Sequence, residues 1–168
     1  ERASARETAV RVAAGTIARQ LLRALGVEVT GYVQSIEQIS DERRYSFDEI
    51  AGLKKYDLFM PDEGLRAAAR KRIDEISESK DTAGGILELR VRGLKSGFGS
   101  CMSYSEKLDA HLACALMSVQ AIKGVEVGLG FEAARRAGSL VHDQIYYRGG
   151  AFVRETNNAG GIEGGMSN

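Results

Sequence analysis

Net charge, cysteine and histidine are all scarce in this 168-residue sequence. Its 23 Lys and Arg balance 23 Asp and Glu. No overall field therefore draws it to a nucleic-acid backbone, and no block of like charges is long enough to replace one. Any anion site must be local. No uncharged apolar run approaches the roughly 20 residues that a bilayer-crossing helix needs, and no secretory signal peptide is recognisable. Cys101 and Cys114 stand thirteen apart, which suits no zinc site and is too sparse for a secreted disulfide framework. A reduced, cytoplasmic protein without metal, membrane or nucleic-acid partner is expected. His111 and His142 are the only histidines, so imidazole acid–base chemistry has two candidates.

The composition, 43% apolar and 27% charged, is enough for one globular domain over 1–168. The chain has no initiator Met, opens directly against a helix start and stops inside a glycine-rich run, so it is expected to be an excised piece.

Ser4-Ala5-Arg6-Glu7 has the form of a capping box, in which the serine hydroxyl and the glutamate carboxylate each take an amide of the other residue. Val10, Ala14, Ile17, Leu21 and Leu25 then form one apolar stripe ending at Gly26. Residues 27–33 alternate as a half-buried strand. Periodicity fades from 38 to 61, where a variable surface excursion with a short helix near 46–55 is expected. Asp62 caps a helix carrying Leu65, Ala69, Ile73 and Ile76. In the strand that follows, Leu87, Leu89 and Val91 share one face, while Glu88, Arg90 and Arg92 share the other, read as solvated. A third long helix is expected from Ser105 to near Gly124, a brief helix over 131–137, and a hairpin around Arg148-Gly149-Gly150.

Gly160, Gly161, Gly164 and Gly165 let backbone approach a flat ring or a phosphate, and a plain tight turn is the competing explanation. There is no P-loop, and Gly128-Leu129-Gly130 lacks the strand–helix context of a dinucleotide site. Arg2 and Ser4 at a helix N-terminus suit a phosphate. Arg11, two turns on, either extends that surface or pairs with a nearby acid. His111 reads as a partly exposed helix residue. His142 and Asp143 point to opposite faces of an extended segment and cannot form a relay.

Three stretches, 2–8 (Arg-Ala-Ser-Ala-Arg-Glu-Thr), 120–128 (Gln-Ala-Ile-Lys-Gly-Val-Glu-Val-Gly) and 156–168, together with Lys107-Leu108-Asp109-Ala110 and Gly130-Phe131, occur in an order and spacing that resembles chorismate synthase. The resemblance runs nearly end to end. It implies an α+β fold, the core portion of a layered β-α-β sandwich. It also implies the anti-1,4-elimination of phosphate from 5-enolpyruvylshikimate 3-phosphate to give chorismate, dependent on reduced FMN, in a homotetrameric family also associated with NADPH. By the same resemblance Arg2, Ala3, Ser4, Gln120, Ala121 and Gly164 contact flavin, Arg11 lies toward substrate, and Lys123, Glu126 and Asn158 belong to the site's architecture. The family's histidine motifs of Ser-His-Gly and Pro-Gly-His type do not occur here, and His111 and His142 match neither. The expectation is a central fragment that is inactive alone. A non-catalytic assembly module and an anion-binding regulatory domain are the alternatives.

Overall fold

The computed structural model describes residues 4–168, with 54 and 55 through their backbone alone. In chain order the elements are α1 (Glu7–Ala24), β1 (Glu28–Ile36), β2 (Ile39–Ser40), α2 (Phe47–Ala51), α3 (Glu63–Glu78), β3 (Gly85–Arg92), α4 (Leu108–Met117), β4 (Ile145–Arg148), β5 (Ala151–Arg154), β6 (Ile162–Glu163) and β7 (Met166–Ser167). Helices alternate with small antiparallel sheets, ordered β2-β1-β3, β4-β5 and β6-β7. The fold is α+β, as expected. Among the described residues no helix is long and apolar enough to cross a membrane. The chain divides into two compact units, residues 18–93 and residues up to 17 with 94–168.

In the first of these units α1 ends as its glycine predicts: the Val27 amide donates to the Leu22 carbonyl at 2.8 Å past Gly26, whose φ is +81°. Asp62 caps α3, its Oδ1 accepting the Leu65 amide at 2.7 Å. Ala69 and Ile76 are buried as their spacing requires.

The segment expected to run over the surface instead supplies much of the core. Ile50, Leu53 and Met60 are buried, and Ile50 and Leu53 cluster with Tyr32 of β1. The helix near 46–55 is present as α2, with a complete Ser46–Glu49 capping box, continuing into a 3-10 turn over Gly52–Lys55. Each piece is too short to show a full apolar period. The burial therefore comes from tertiary packing and left little mark on the pattern.

The sheet face read as solvated is the one that packs. Tyr32 Oη donates to Glu88 Oε2 at 2.8 Å, Arg90 Nε donates to Glu88 Oε1 at 2.5 Å, and Arg90 also bonds the Tyr45 carbonyl. Arg92 bonds Glu28 and Asp48 at 2.8 Å each, its guanidinium 4.2 Å from the Phe47 ring centroid. The long arginine stems cover apolar atoms while their heads stay paired, so a charged row can form an inner face. Within the same strand Leu87, Leu89 and Val91 are 62%, 54% and 51% exposed.

Beside this network Asp41 is buried and accepts from the Arg43 amide and guanidinium and from Tyr45 Oη, the last at 2.6 Å. Burial and the bond to Asp41 push the Tyr45 phenol up to about 12. Burial alone would raise the Asp41 carboxyl, but Arg43 and Tyr45 outweigh it and hold it below the ordinary carboxylate range. A raised phenol stabilises the fold fully below the ordinary tyrosine value near 10, and this contribution is lost as pH climbs toward 12. A lowered carboxyl stabilises above its ordinary value near 4 and is lost as pH falls below it. The urea midpoint is therefore expected to stay level from about pH 5 to 10 and fall on either side. Tyr45→Phe should blunt the alkaline fall, and an unchanged alkaline limb would contradict this pairing.

Candidate functional site

In the unit formed by residues up to 17 and 94–168, α4 is the element to which the relevant segments attach. At its C-terminal end, Ser118 caps the helix through its amide, and its hydroxyl donates to the Ala115 carbonyl at 2.7 Å. Short turns follow, closed by Val119 N–H to Leu116 and Ile122 N–H to Val119, and Ala121 takes a left-handed φ of +68°. The helix thus stops at Met117, well before the expected Gly124. The early stop swings Gln120 out of the helical path and toward the start of α1.

There Gln120 Nε2 donates to Glu7 Oε2. The Glu7 carboxylate also takes Arg11 Nε at 3.1 and 3.2 Å, and Arg11 reaches on to Ser118 Oγ at 2.8 Å. Two segments more than a hundred residues apart are joined by one carboxylate and one guanidinium. Donation from the Gln120 amide, then from Arg11, holds the Glu7 carboxyl below its ordinary range. The expected capping box is consequently absent. Among the described residues Ser4 Oγ accepts only the Arg6 amide, at 3.3 Å, and α1 starts at Glu7 through backbone bonds such as Glu7 N–H to the Ser4 carbonyl at 3.0 Å. A glutamate has one carboxylate, and here its tertiary partners take it. Of the two readings of Arg11, pairing with a nearby acid is the one seen.

At its N-terminal end, α4 receives the glycine-rich segment: the Leu108 amide donates to the Gly165 carbonyl at 2.8 Å. Gly164 and Gly165 form the two-residue turn of the β6–β7 hairpin, with φ of +61° and +84°. Gly164 is exposed, and a Cβ there would meet nothing within 4 Å. Ser167 fixes the other side, donating to the Lys95 carbonyl at 2.7 Å and accepting the Phe98 amide at 2.9 Å. Ten helical residues separate the two ends of α4, about 15 Å at the usual rise. All three stretches singled out in the sequence are therefore tied to one short helix. Arg2 and Ala3 lie outside the described residues.

The family profile described as chorismate synthase matches residues 1–168. The chain belongs to the chorismate synthase family. Chorismate synthases of Geobacter metallireducens and Geobacter sulfurreducens are each 49% identical over the whole chain, which covers 45% of their length. That of Thermus thermophilus is 48% identical over 99% of the chain and 44% of its own length. A crystal structure of chorismate synthase superposes with a TM-score of 0.91 at 38% identity, covering 98% of this chain and 52% of the other. The chain thus spans less than half the length of these curated relatives.

Of the residues expected from the resemblance to contact flavin or substrate, Ser4 and Arg11 stand at the start of α1, Gln120 and Ala121 after α4, and Gly164 on the hairpin turn. Asn158 lies deeper, its carbonyl accepting the Leu129 amide at 2.8 Å and its side-chain amide donating to the Leu140 carbonyl at 3.3 Å. Neither histidine is drawn in: His111 is exposed on α4 and His142 is exposed before β4. Among the described residues no group of three or more His, Cys, Asp and Glu is placed to hold a metal ion. Sequence reading did not anticipate the tertiary bonds of Glu7 and Asp143. For Glu7 the only signal was a Ser-x-x-Glu spacing with a sufficient local explanation.

Proposed function

We propose that this chain is the central part of a single chorismate synthase domain. In the whole protein it would take part in the anti-1,4-elimination of phosphate from 5-enolpyruvylshikimate 3-phosphate. The observation that carries this reading, beyond family membership, is the Glu7 bridge, which ties the opening segment to Gln120 in the same unit that holds the glycine hairpin. The residues are suited to reduced FMN. The open backbone at Gly164 allows a planar ring to lie flat, Ser4 and Gln120 offer an uncharged hydroxyl and amide, and Arg2 would add a cation for the phosphate ester. When bound, reduced FMN would lend electron density transiently to the substrate without net redox change.

The chain's own residues supply position and charge. The amides opening α1, with the positive end of its dipole, favour an anion beside Ser4. Arg11, its Nε held by Glu7 and Nη1 by Ser118, would turn its remaining N–H groups toward substrate. Ala121, in a left-handed turn, redirects the chain as it leaves Gln120, whose side chain is held by Glu7. No histidine motif of the family occurs in this sequence, so the proton-transfer groups would come from other segments, and the isolated chain should be inactive. A cytoplasmic homotetramer is the proposed state of the whole protein. The exposed apolar side chains of α1 and β3 suit a second role in packing.

Titration of the chain with anaerobically reduced FMN tests the reading. Uptake strengthened by the phosphorylated substrate supports it, and no uptake at practical concentrations favours an assembly module. Phosphate affinity indifferent to flavin favours an anion-binding regulatory domain. In the full-length protein, Glu7→Ala is expected to weaken FMN binding about 5- to 30-fold, because Gln120 and Arg11 lose a shared charged partner. Fluorescence quenching of FMN measures this, and an unchanged affinity would remove Glu7 from the site.

A further inference from the structure

We infer that Asp143 is a positioning residue for the flavin-facing loop, acting through the turn at 156–159; this rests on the proposed FMN site. Asp143 is only 7% exposed, and among the described residues no lysine or arginine bonds its carboxylate. Its partners are on one short stretch of chain instead. Oδ1 accepts the Thr156 hydroxyl at 2.5 Å and the Asn158 amide at 2.7 Å, and Oδ2 accepts the Ala159 amide at 2.8 Å. Burial alone would push the carboxyl up, but these donors, with the charge of nearby Arg154, outweigh it and hold it below the ordinary range.

A buried carboxylate is costly unless it is fully hydrogen-bonded, and here three donors and the charge of nearby Arg154 offset that cost. What the carboxylate adds is direction. Two backbone amides pointing at one anion fix the peptide planes at 158 and 159, just before Gly160-Gly161 and the β6–β7 hairpin that carries Gly164. The opposite side of the same turn is fixed by the Leu129 amide on the Asn158 carbonyl. Asp143 stands immediately before the β4–β5 hairpin and its partners immediately after it, so the carboxylate closes the hairpin base and aims the chain that leaves it.

The test uses the full-length protein with Asp143→Asn, Asp143→Ala and Thr156→Val, at a temperature where circular dichroism shows each variant folded. Asparagine keeps an oxygen for Thr156 and Asn158 but turns an NH2 toward the Ala159 amide, while Thr156→Val removes one donor and keeps the charge. Amide exchange at Asn158 and Ala159 in flavin-free protein is expected to rise at least about tenfold in Asp143→Asn. The FMN dissociation constant is expected to rise about tenfold in Asp143→Asn, more in Asp143→Ala and about threefold in Thr156→Val. If Asp143→Ala fails to fold, the other two carry the comparison. Affinity is read on folded molecules, so a purely stabilising role would leave it unmoved, and faster exchange with unchanged affinity overturns the inference. Unchanged exchange overturns it too. Wild-type protein that binds no FMN overturns the functional reading and this inference with it, and is recognised because exchange still responds to the variants.

Discussion

Replacing Gly128 by alanine lowers stability by about 3–6 kcal/mol, one of the largest effects expected in this chain. Gly128 has φ of +63°, and a Cβ there would stand 2.0 Å from the Asn158 carbonyl oxygen, 2.5 Å from the Gly160 nitrogen and 2.7 Å from the Ala159 carbonyl carbon. All three are backbone atoms, so no rotamer change relieves the collision. The turn must separate from 158–160 and give up the Leu129 N–H bond to Asn158. Left-handed strain contributes about 1–2 kcal/mol, forced separation about 1–3 and the lost hydrogen bond about 1. Gly164→Ala is the control, with nearly the same φ and no neighbour within 4 Å. It should cost only the backbone strain of about 1–2 kcal/mol. Urea denaturation of both variants decides the matter, and equal costs would show that 128 and 158–160 are not in contact.

Features closed by near neighbours were legible in the sequence. The glycine end of α1, the Asp62 cap of α3 and the two-residue turn at Gly149-Gly150 each depend on a few adjacent residues. Features that depend on distant partners were not. Ser4-x-x-Glu7 satisfies the capping pattern, yet Glu7 serves Gln120, which no local rule anticipates. Gly128-Leu129-Gly130 could be rejected as a dinucleotide motif, but its real use, close approach to another loop, leaves no spacing signature. Alternation in β3 identified its two faces correctly and could not say which would be covered. That is decided by α2 and Tyr45, arriving from a stretch with no period of its own. Of the candidate site, Ser4, Gln120 and Gly164 were proposed by resemblance alone. Glu7 and Asp143 escaped because their partners are brought to them by the fold, and neither set of bonds leaves a spacing signature.

The same distinction sets the second large effect. Ile50→Ala is expected to cost about 3–4 kcal/mol, within the range for a buried aliphatic truncated to alanine. Ile50 is 1% exposed and clusters with Tyr32 and Leu53, with Tyr45 packed against them. The cavity would open beneath Tyr32, whose hydroxyl is anchored on Glu88, so the ring cannot collapse into it without breaking that bond. Leu21 lies on the regular apolar stripe of α1 yet is 64% exposed, so Leu21→Ala in this chain should cost less than about 1 kcal/mol. Periodicity alone ranks these two positions the other way. Thermal or urea unfolding of the two variants therefore separates burial by tertiary packing from burial inferred by pattern, and an Ile50→Ala cost no larger than that of Leu21→Ala would return residues 38–61 to the surface. The same pair in a full-length chorismate synthase is expected to differ less. The Leu21 cost should rise toward that of Ile50 if additional polypeptide covers the α1 stripe, since the transfer energy of a leucine side chain depends on what finally lies over it.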